Sequence, residues 1–315
     1  MLTPGTAIDH KPYHLSADEL DFFDANGYLI LRDRINPELL ARLQAAGDQW
    51  ILAGADADDD AEEHQDWRFV DRPTGRVMFR VDYLHNKGQA ASLELLGSPD
   101  LLGIAESLAG PDFVPTYESM VFKNAGDGAP IAWHQDAVHP RNYRIANLDI
   151  YLDASRTGAG ALRVIPGSQR QPADICAITD RHGWEPPGVI SVEMNPGDVL
   201  VHDVMLVHGS EPTLGNARRR TIYYEFRAAE QILAEGPWDL DWIQRRMRLI
   251  PVGLAAYARA FPDRAAFEWN AAPEFRPEES NEETNLRIAH LTHSPGSFCS
   301  AGDVPNLAAG SVDAQ

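Results

Sequence analysis

The stretch from about residue 114 to 227 constrains the fold more than any other part of the chain. Short apolar runs recur there between Gly, Pro, Asn and Asp: Ser119–Lys123, Leu148–Leu152, Leu162–Ile165, Val189–Met194, Val199–Val201 and Thr221–Phe226. Runs this short, closed off by turn formers, suit strands. Many short strands at close spacing predict an antiparallel barrel or double sheet of jelly-roll type.

The flanks read differently. Ser16 with Glu19 three residues later forms a capping box, with Leu15 and Leu20 placed as a hydrophobic staple. This predicts a helix over about 17–25, stopped by Asn26-Gly27, before the strand Tyr28–Leu31. Asn36 caps a second helix with Pro37 at its first position. Leu39, Leu40, Leu43, Ala46 and Trp50 give that helix an apolar face. Residues 239–262 regain helical texture, and the end of the chain is rich in Gly, Ala, Ser and Asp. The expected organisation is mainly β with flanking helices, in one domain over 1–315. Its β core spans about 114–227, with a helical part at 15–52, a helical or irregular part at 228–300 and a frayed tail at 301–315.

Composition limits the partners. The 315 residues carry 27 Lys+Arg against 47 Asp+Glu, a formal charge of −20. That surface repels nucleic acid and anionic membranes, so neither is expected as a partner. No apolar run approaches the length of a membrane span, and the first residues lack the pattern of a signal peptide. A cytoplasmic protein with a small-molecule substrate is the expectation. Cys176 and Cys299 are too few for a disulfide framework, and reduced thiols are expected of them. Seven acidic residues within 56–66 predict a solvated loop.

The chemistry concentrates at Trp133-His134-Gln135-Asp136. On an extended strand, His134 and Asp136 leave the same face. A third ligand would complete a metal site, and His208, following the strand Val199–Val201, is the best candidate. His202 is a rival of the same strand parity. Two imidazoles and a carboxylate on one face of the ion form the facial triad of non-haem Fe(II) oxygenases. Its open positions take a bidentate cosubstrate and dioxygen. An HxD pair alone is weak evidence, because surface pairs of this kind are common. Arg219, eleven residues after His208, adds weight: its planar, permanently charged fork suits a carboxylate held at fixed distance from a metal. Alternation puts Arg219, Thr221, Tyr223 and Glu225 on one face of a strand, as a polar pocket wall. The competing reading of Arg218-Arg219-Arg220 is a basic cluster on an edge strand.

In order, His134-x-Asp136, Val164-Ile165-Pro166-Gly167-Ser168, Pro196-Gly197-Asp198, His208-Gly209-Ser210 and Arg219 resemble the phytanoyl-CoA dioxygenase family of Fe(II)/2-oxoglutarate oxygenases. Phe23-x-x-x-Gly27-Tyr28-Leu29-Ile30-Leu31 resembles that family's opening helix and strand. The resemblance covers roughly 15–227. It implies a double-stranded β-helix, with Fe(II), 2-oxoglutarate and O2 as cofactor and cosubstrates. It further implies His134, Asp136 and His208 as iron ligands and Arg219 on the distal carboxylate of 2-oxoglutarate. Lys123, Asn124 and Thr221 are further candidates to contact the cosubstrate. The sequence departs from the family pattern at Gln169, Thr213 and the turn Thr157-Gly158-Ala159-Gly160. The presence of Asp136 speaks against halogenation, since related halogenases lack that carboxylate.

The expected activity is oxidation of a small organic molecule, hydroxylation being the usual outcome. Arg80, Tyr143, Asp149 and Tyr223 are candidate substrate residues, and the segment Arg76–Tyr83 a candidate lid or pocket wall. No basic cluster dedicated to the phosphates of an acyl-CoA is apparent, which favours a secondary metabolite or amino-acid derivative. Two other readings remain open: a zinc or manganese hydrolase or isomerase, which would not need Arg219, and a jelly-roll binding protein with a vestigial site. His290 and His293 are expected at the surface.

Overall fold

The computed structural model describes residues 13–55, 65–72, 75–124, 129–211, 218–277, 283–290 and 296–299. Two antiparallel sheets face each other. The larger contains β1 (Tyr28–Leu31), β2 (Trp67–Arg72), β3 (Gly75–Asp82), β4 (Phe113–Lys123), β6 (Ala146–Tyr151), β9 (Val199–Asp203) and β11 (Arg219–Ala228), in the order β1-β9-β6-β11-β4-β3-β2. The smaller contains β5 (Ile131–His134), β7 (Leu162–Val164), β8 (Ile190–Val192) and β10 (His208–Ser210), in the order β5-β10-β7-β8. This is the expected double-stranded β-helix.

The two faces of the large sheet have different partners, as strand alternation requires. Met120, Phe122, Leu148, Ile150, Val199, Val201, Ile222 and Tyr224 form one core with the helical flank, which supplies Phe23, Leu39, Leu43, Trp50, Leu95 and Leu101 among others. That flank comprises α1 (Ala17–Asn26), α2 (Pro37–Ala55), α3 (Ala91–Leu96), α4 (Pro99–Ala109) and, after the barrel, α8 (Leu249–Ala260), which packs on α3. The opposite face carries Tyr151 and Leu200, which pack on Leu162, Val164, Val192 and Leu206 between the sheets. Lys123, Asp149, Arg219, Thr221 and Tyr223 lie on that inner face of the large sheet, while His134 and His208 belong to the small sheet.

Local signals behave as expected at the N-terminus. Ser16 and Glu19 form the reciprocal capping box of α1, and Gly27 closes it in the left-handed region at φ 78°. Asn36 Oδ1 accepts from the Leu39 amide at the start of α2. The segment 76–83, expected as a lid or pocket wall, is β3 and the start of the following turn, between β2 and β4 of the large sheet. The acidic loop falls outside the described residues over 56–64, but Asp66 is not solvated. It is 1% exposed and pairs with Lys87 and Arg287. The tail 301–315 and His293 lie outside the described residues.

A buried polar network ties the helices to the outer face. Arg246, on α7 (Leu240–Met247), pairs with Glu118, both without solvent exposure, and its Nε donates to the Pro115 carbonyl at 2.6 Å. His85 lies beside this pair, its Nε2 3.4 Å from the Tyr224 hydroxyl. Burial pushes the His85 pKa down to about 4, against the attraction of Glu118. The neutral form is therefore the folded form. Stability from keeping His85 neutral is complete above pH 6.5 and is lost as pH falls toward 4, by about 3 kcal/mol at one pKa unit per 1.36 kcal/mol. His85→Phe should flatten the fall in unfolding free energy between pH 6.5 and 4, measured by urea titration. An unchanged slope would contradict the assignment.

Candidate metal centre

β5 and β10 are adjacent antiparallel strands, and the register sets His208 directly across from His134. Asp136 follows β5, and its carboxylate returns toward both rings. Oδ1 lies 3.3 Å from His134 Nε2 and Oδ2 lies 3.8 Å from His208 Nε2. The three ligand atoms fall within 4.8 Å of one another. His134 and His208 side chains are 4% and 7% exposed, and Asp136 30%, so the carboxylate marks the open side.

The two rings are prepared in the same way. His134 Nδ1 lies 2.8 Å from the Ala132 carbonyl, and His208 Nδ1 2.8 Å from the Leu206 carbonyl. A carbonyl only accepts, so each Nδ1 carries a proton, and each Nε2 is the ring nitrogen turned toward Asp136. Burial, with the neighbouring His134, pushes the His208 pKa down to about 3. Burial alone would raise the Asp136 pKa, but His208, His134 and His202 hold it well below the usual carboxylate range. Two imidazoles and one carboxylate brought this close together fit a divalent iron.

His202, the rival ligand, occupies a different place. Its Nε2 lies 3.2 Å from Asp136 Oδ2 and its Nδ1 3.1 Å from Asp149 Oδ2. Although burial opposes it, these two carboxylates push its pKa up to about 10. Asn147, opposite His202 in the β6–β9 register, donates from Nδ2 to the same Asp136 oxygen at 2.9 Å. Together they fix the carboxylate. Sequence reading missed Asn147, whose only signal was its parity with Asp149 on β6.

Arg219 opens β11 and is 3% exposed. β11 lies between β6 and β4, so the reading of 218–220 as an edge-strand cluster fails for it. Arg220 turns outward to Asp153 and Asp48, and Arg218 to Asp48. Arg219 turns inward, where Nη1 donates to the Gly160 carbonyl and, at 3.4 Å, to the Ser155 hydroxyl. Its Nε has no hydrogen-bond partner, and no carboxylate pairs with it among the described residues. Thr221 Oγ1, two residues on, and Asp149 Oδ1 are also buried without partners. A buried guanidinium with unused donors is costly unless an anion completes it.

The remaining candidates divide. Lys123, opposite Arg219 on β4, is buried, and its Nζ donates to Ser210 Oγ at 2.8 Å. Ser210 Oγ in turn donates to the Gly160 carbonyl at 3.1 Å, so Lys123 and Arg219 share one cluster. Asn124 donates from Nδ2 to the Met78 carbonyl at 2.9 Å, pinning β3. Tyr223 is half-buried opposite Asp149, and burial and that carboxylate hold its phenol protonated. Arg80 is buried and paired to Asp82 at 2.6 Å. Tyr143 is half-buried in the connection between β5 and β6. His290 is not at the surface: it is 6% exposed, its ring 4.7 Å from Tyr117 and 4.9 Å from Tyr83. The cysteines are not reduced thiols. Cys176, on α5 (Ile175–His182), and Cys299 form a disulfide across 123 residues. Neither partner has local sequence context that announces the other.

The model of the family described as phytanoyl-CoA dioxygenase matches residues 23–221, more than half of the chain. The chain belongs to the phytanoyl-CoA dioxygenase family. Among curated proteins it is 25% identical over 219 residues to a probable alpha-ketoglutarate-dependent hypophosphite dioxygenase of Stutzerimonas stutzeri, covering 65% of this chain and 76% of that one. Among solved structures, AviO1 from Streptomyces viridochromogenes Tue57 is 29% identical with a TM-score of 0.58, covering 71% of this chain and 97% of that one. EctD from S. alaskensis, solved with 2-oxoglutarate and 5-hydroxyectoine, shares the fold at 22% identity and a TM-score of 0.57, covering 70% of this chain and 78% of that one. The chain is an Fe(II)- and 2-oxoglutarate-dependent dioxygenase acting on a small molecule. No helix among the described residues is long and apolar enough to cross a membrane.

Partners that orient a metal ligand typically govern affinity by about 10- to 100-fold. His202→Ala should therefore weaken Fe(II) binding by about that factor in an anaerobic titration. Wild-type affinity in the variant would show that Asp136 needs no such support.

Proposed function

We propose that His134, Asp136 and His208 hold Fe(II), that Arg219 holds the distal carboxylate of 2-oxoglutarate, and that the enzyme hydroxylates a small organic molecule between the two sheets. The whole chain, helical flanks included, is read as one oxygenase domain. The observation that carries this reading is Arg219: a buried guanidinium on the inner face, with an unpartnered Nε and no carboxylate of its own among the described residues. A hydrolase or isomerase using the same three metal ligands would have no use for it.

Once bound, the iron and its cosubstrate supply the oxidation of an unactivated C–H bond. The chain supplies geometry. Ala132 and Leu206 fix the ring tautomers, and Asn147 and His202 fix Asp136. Lys123 and Ser210 stand beside Arg219 and, with Thr221, complete the polar end that receives the cosubstrate. Tyr223 and Asp149 lie on the same face, toward the metal, as substrate contacts. No side chain is needed as a general base.

The substrate is a small molecule and not an acyl-CoA. Arg80 pairs with Asp82, Arg227 with Glu225, Arg163 with Glu185 and Glu211, and Arg141 with Asp203. Cations already neutralised in this way offer little to a polyphosphate. A secondary metabolite or amino-acid derivative fits such a pocket.

Hydrogen bonds to a charged group contribute about 1.5–3 kcal/mol, and 1.4 kcal/mol is tenfold in affinity. Arg219→Ala should raise the 2-oxoglutarate needed to half-develop the visible band of the anaerobic Fe(II) chelate by about 10- to 100-fold, with Fe(II) affinity retained. An unchanged midpoint would contradict the assignment of Arg219.

A further inference from the structure

The segment 296–299 lies 75 residues or more beyond the family match, yet it runs along the metal-binding motif. Ser297 and Gln135 exchange two backbone hydrogen bonds of 3.0 Å, and Gln135 is the residue between His134 and Asp136. Ser297 Oγ donates to the Ala173 carbonyl at 2.9 Å. Gly296 is required by the closeness of the pairing. A Cβ there would sit 2.5 Å from the Gln135 carbonyl oxygen and 2.7 Å from that of Asp136. One residue on, the Phe298 ring lies nearly parallel to the His134 imidazole, with centroids 5.6 Å apart and 12° between planes. The next residue is Cys299, bridged to Cys176 on α5. α5 is itself seated against β5, and the Gly183 carbonyl at its C-terminus accepts from Trp133 Nε1 at 2.8 Å.

We infer that Phe298, held in place by the Cys176–Cys299 bridge, is a positioning residue of the metal centre. It acts through His134. The Nδ1 bond to Ala132 fixes one edge of that imidazole, and the His208 ring meets it at 51° with centroids 4.1 Å apart. Phe298 adds a second ring contact, nearly parallel to the imidazole, which would restrict its rotation about the Cβ–Cγ bond and keep Nε2 directed at a bound ion. Without the bridge, the ordering cost of 296–299 falls on the two backbone bonds to Gln135, the Ser297 Oγ bond to Ala173 and the Phe298 ring contact. The disulfide therefore links the oxidation state of two distant cysteines to how firmly iron is held. The inference rests on the proposed ligand role of His134.

The test compares Fe(II)-loaded wild type with Phe298→Ala, Phe298→Tyr and Cys299→Ser, all anaerobic. It follows transfer of iron to ferrozine and the melting temperature of each. Denatured, unreduced wild type should show no titratable thiol. Phe298→Ala and Cys299→Ser should release iron about tenfold faster, at the low end for groups that orient a ligand. Phe298→Tyr, which keeps the ring, should release it at the wild-type rate. A phosphine reductant should bring wild type to the Cys299→Ser rate and leave Cys299→Ser unchanged. Equal release rates in all four proteins overturn the inference, as do two free thiols in unreduced wild type. A faster release shared by Phe298→Tyr also overturns it, because a lost structural strap would then explain the effect. Release is followed without 2-oxoglutarate, so failure of the chelate band in wild type counts against the cosubstrate reading alone. Failure of wild type to bind iron overturns both.

Discussion

The pairing of β5 with β10 is the constraint on which the rest of the site depends. It sets His208 opposite His134 in the small sheet, and a slip of one residue would turn one of the two rings to the other face. Everything else is arranged around that pairing. The carbonyls that orient both rings belong to residues two positions before them, so the same strand geometry that aligns the two imidazoles also supplies their Nδ1 partners. The bridge from Ser297 to Gln135 adds a further backbone partner at the end of β5.

Across the gap, the large sheet separates its two duties by alternation. Along β11, Ile222 and Tyr224 pack with the helical flank while Arg219, Thr221 and Tyr223 face the site. Most charges near the site are held in pairs: Arg80 with Asp82, Arg227 with Glu225, and His202 between Asp149 and Asp136. Arg219 stands apart from this pattern, and its cost is accepted only if an anion arrives to complete it. The anion proposed to complete it is 2-oxoglutarate, the cosubstrate of the dioxygenases to which the chain is similar.

Much of this was legible in the sequence because the signals are local. The capping box at Ser16, the strand Tyr28–Leu31 and the parity of His134 with Asp136 each depend on residues a few positions apart. So does the inward turn of Arg219 between two outward neighbours. What was hidden depends on contacts between distant residues. His202 and His208 were both plausible ligands by parity, and only the pairing of β9 with β6 places His202 behind Asp136. The Cys176–Cys299 bridge spans 123 residues, and net composition pointed the wrong way. His290 looked like a surface residue until the folding of the C-terminal part set it between Tyr83 and Tyr117. Asp66 sits in an acidic run whose other members say nothing of its burial beside Lys87 and Arg287.

The central claim is that the ends of β5 and β10 create one iron site and that His202 supports it without joining it. Anomalous diffraction at the iron edge, from crystals grown anaerobically with Fe(II) and 2-oxoglutarate, tests this most directly. The expected result is a single strong peak in bonding contact with His134 Nε2, His208 Nε2 and one Asp136 oxygen, with His202 outside the coordination sphere. A peak bonded to His202, or one away from these three side chains, would contradict it.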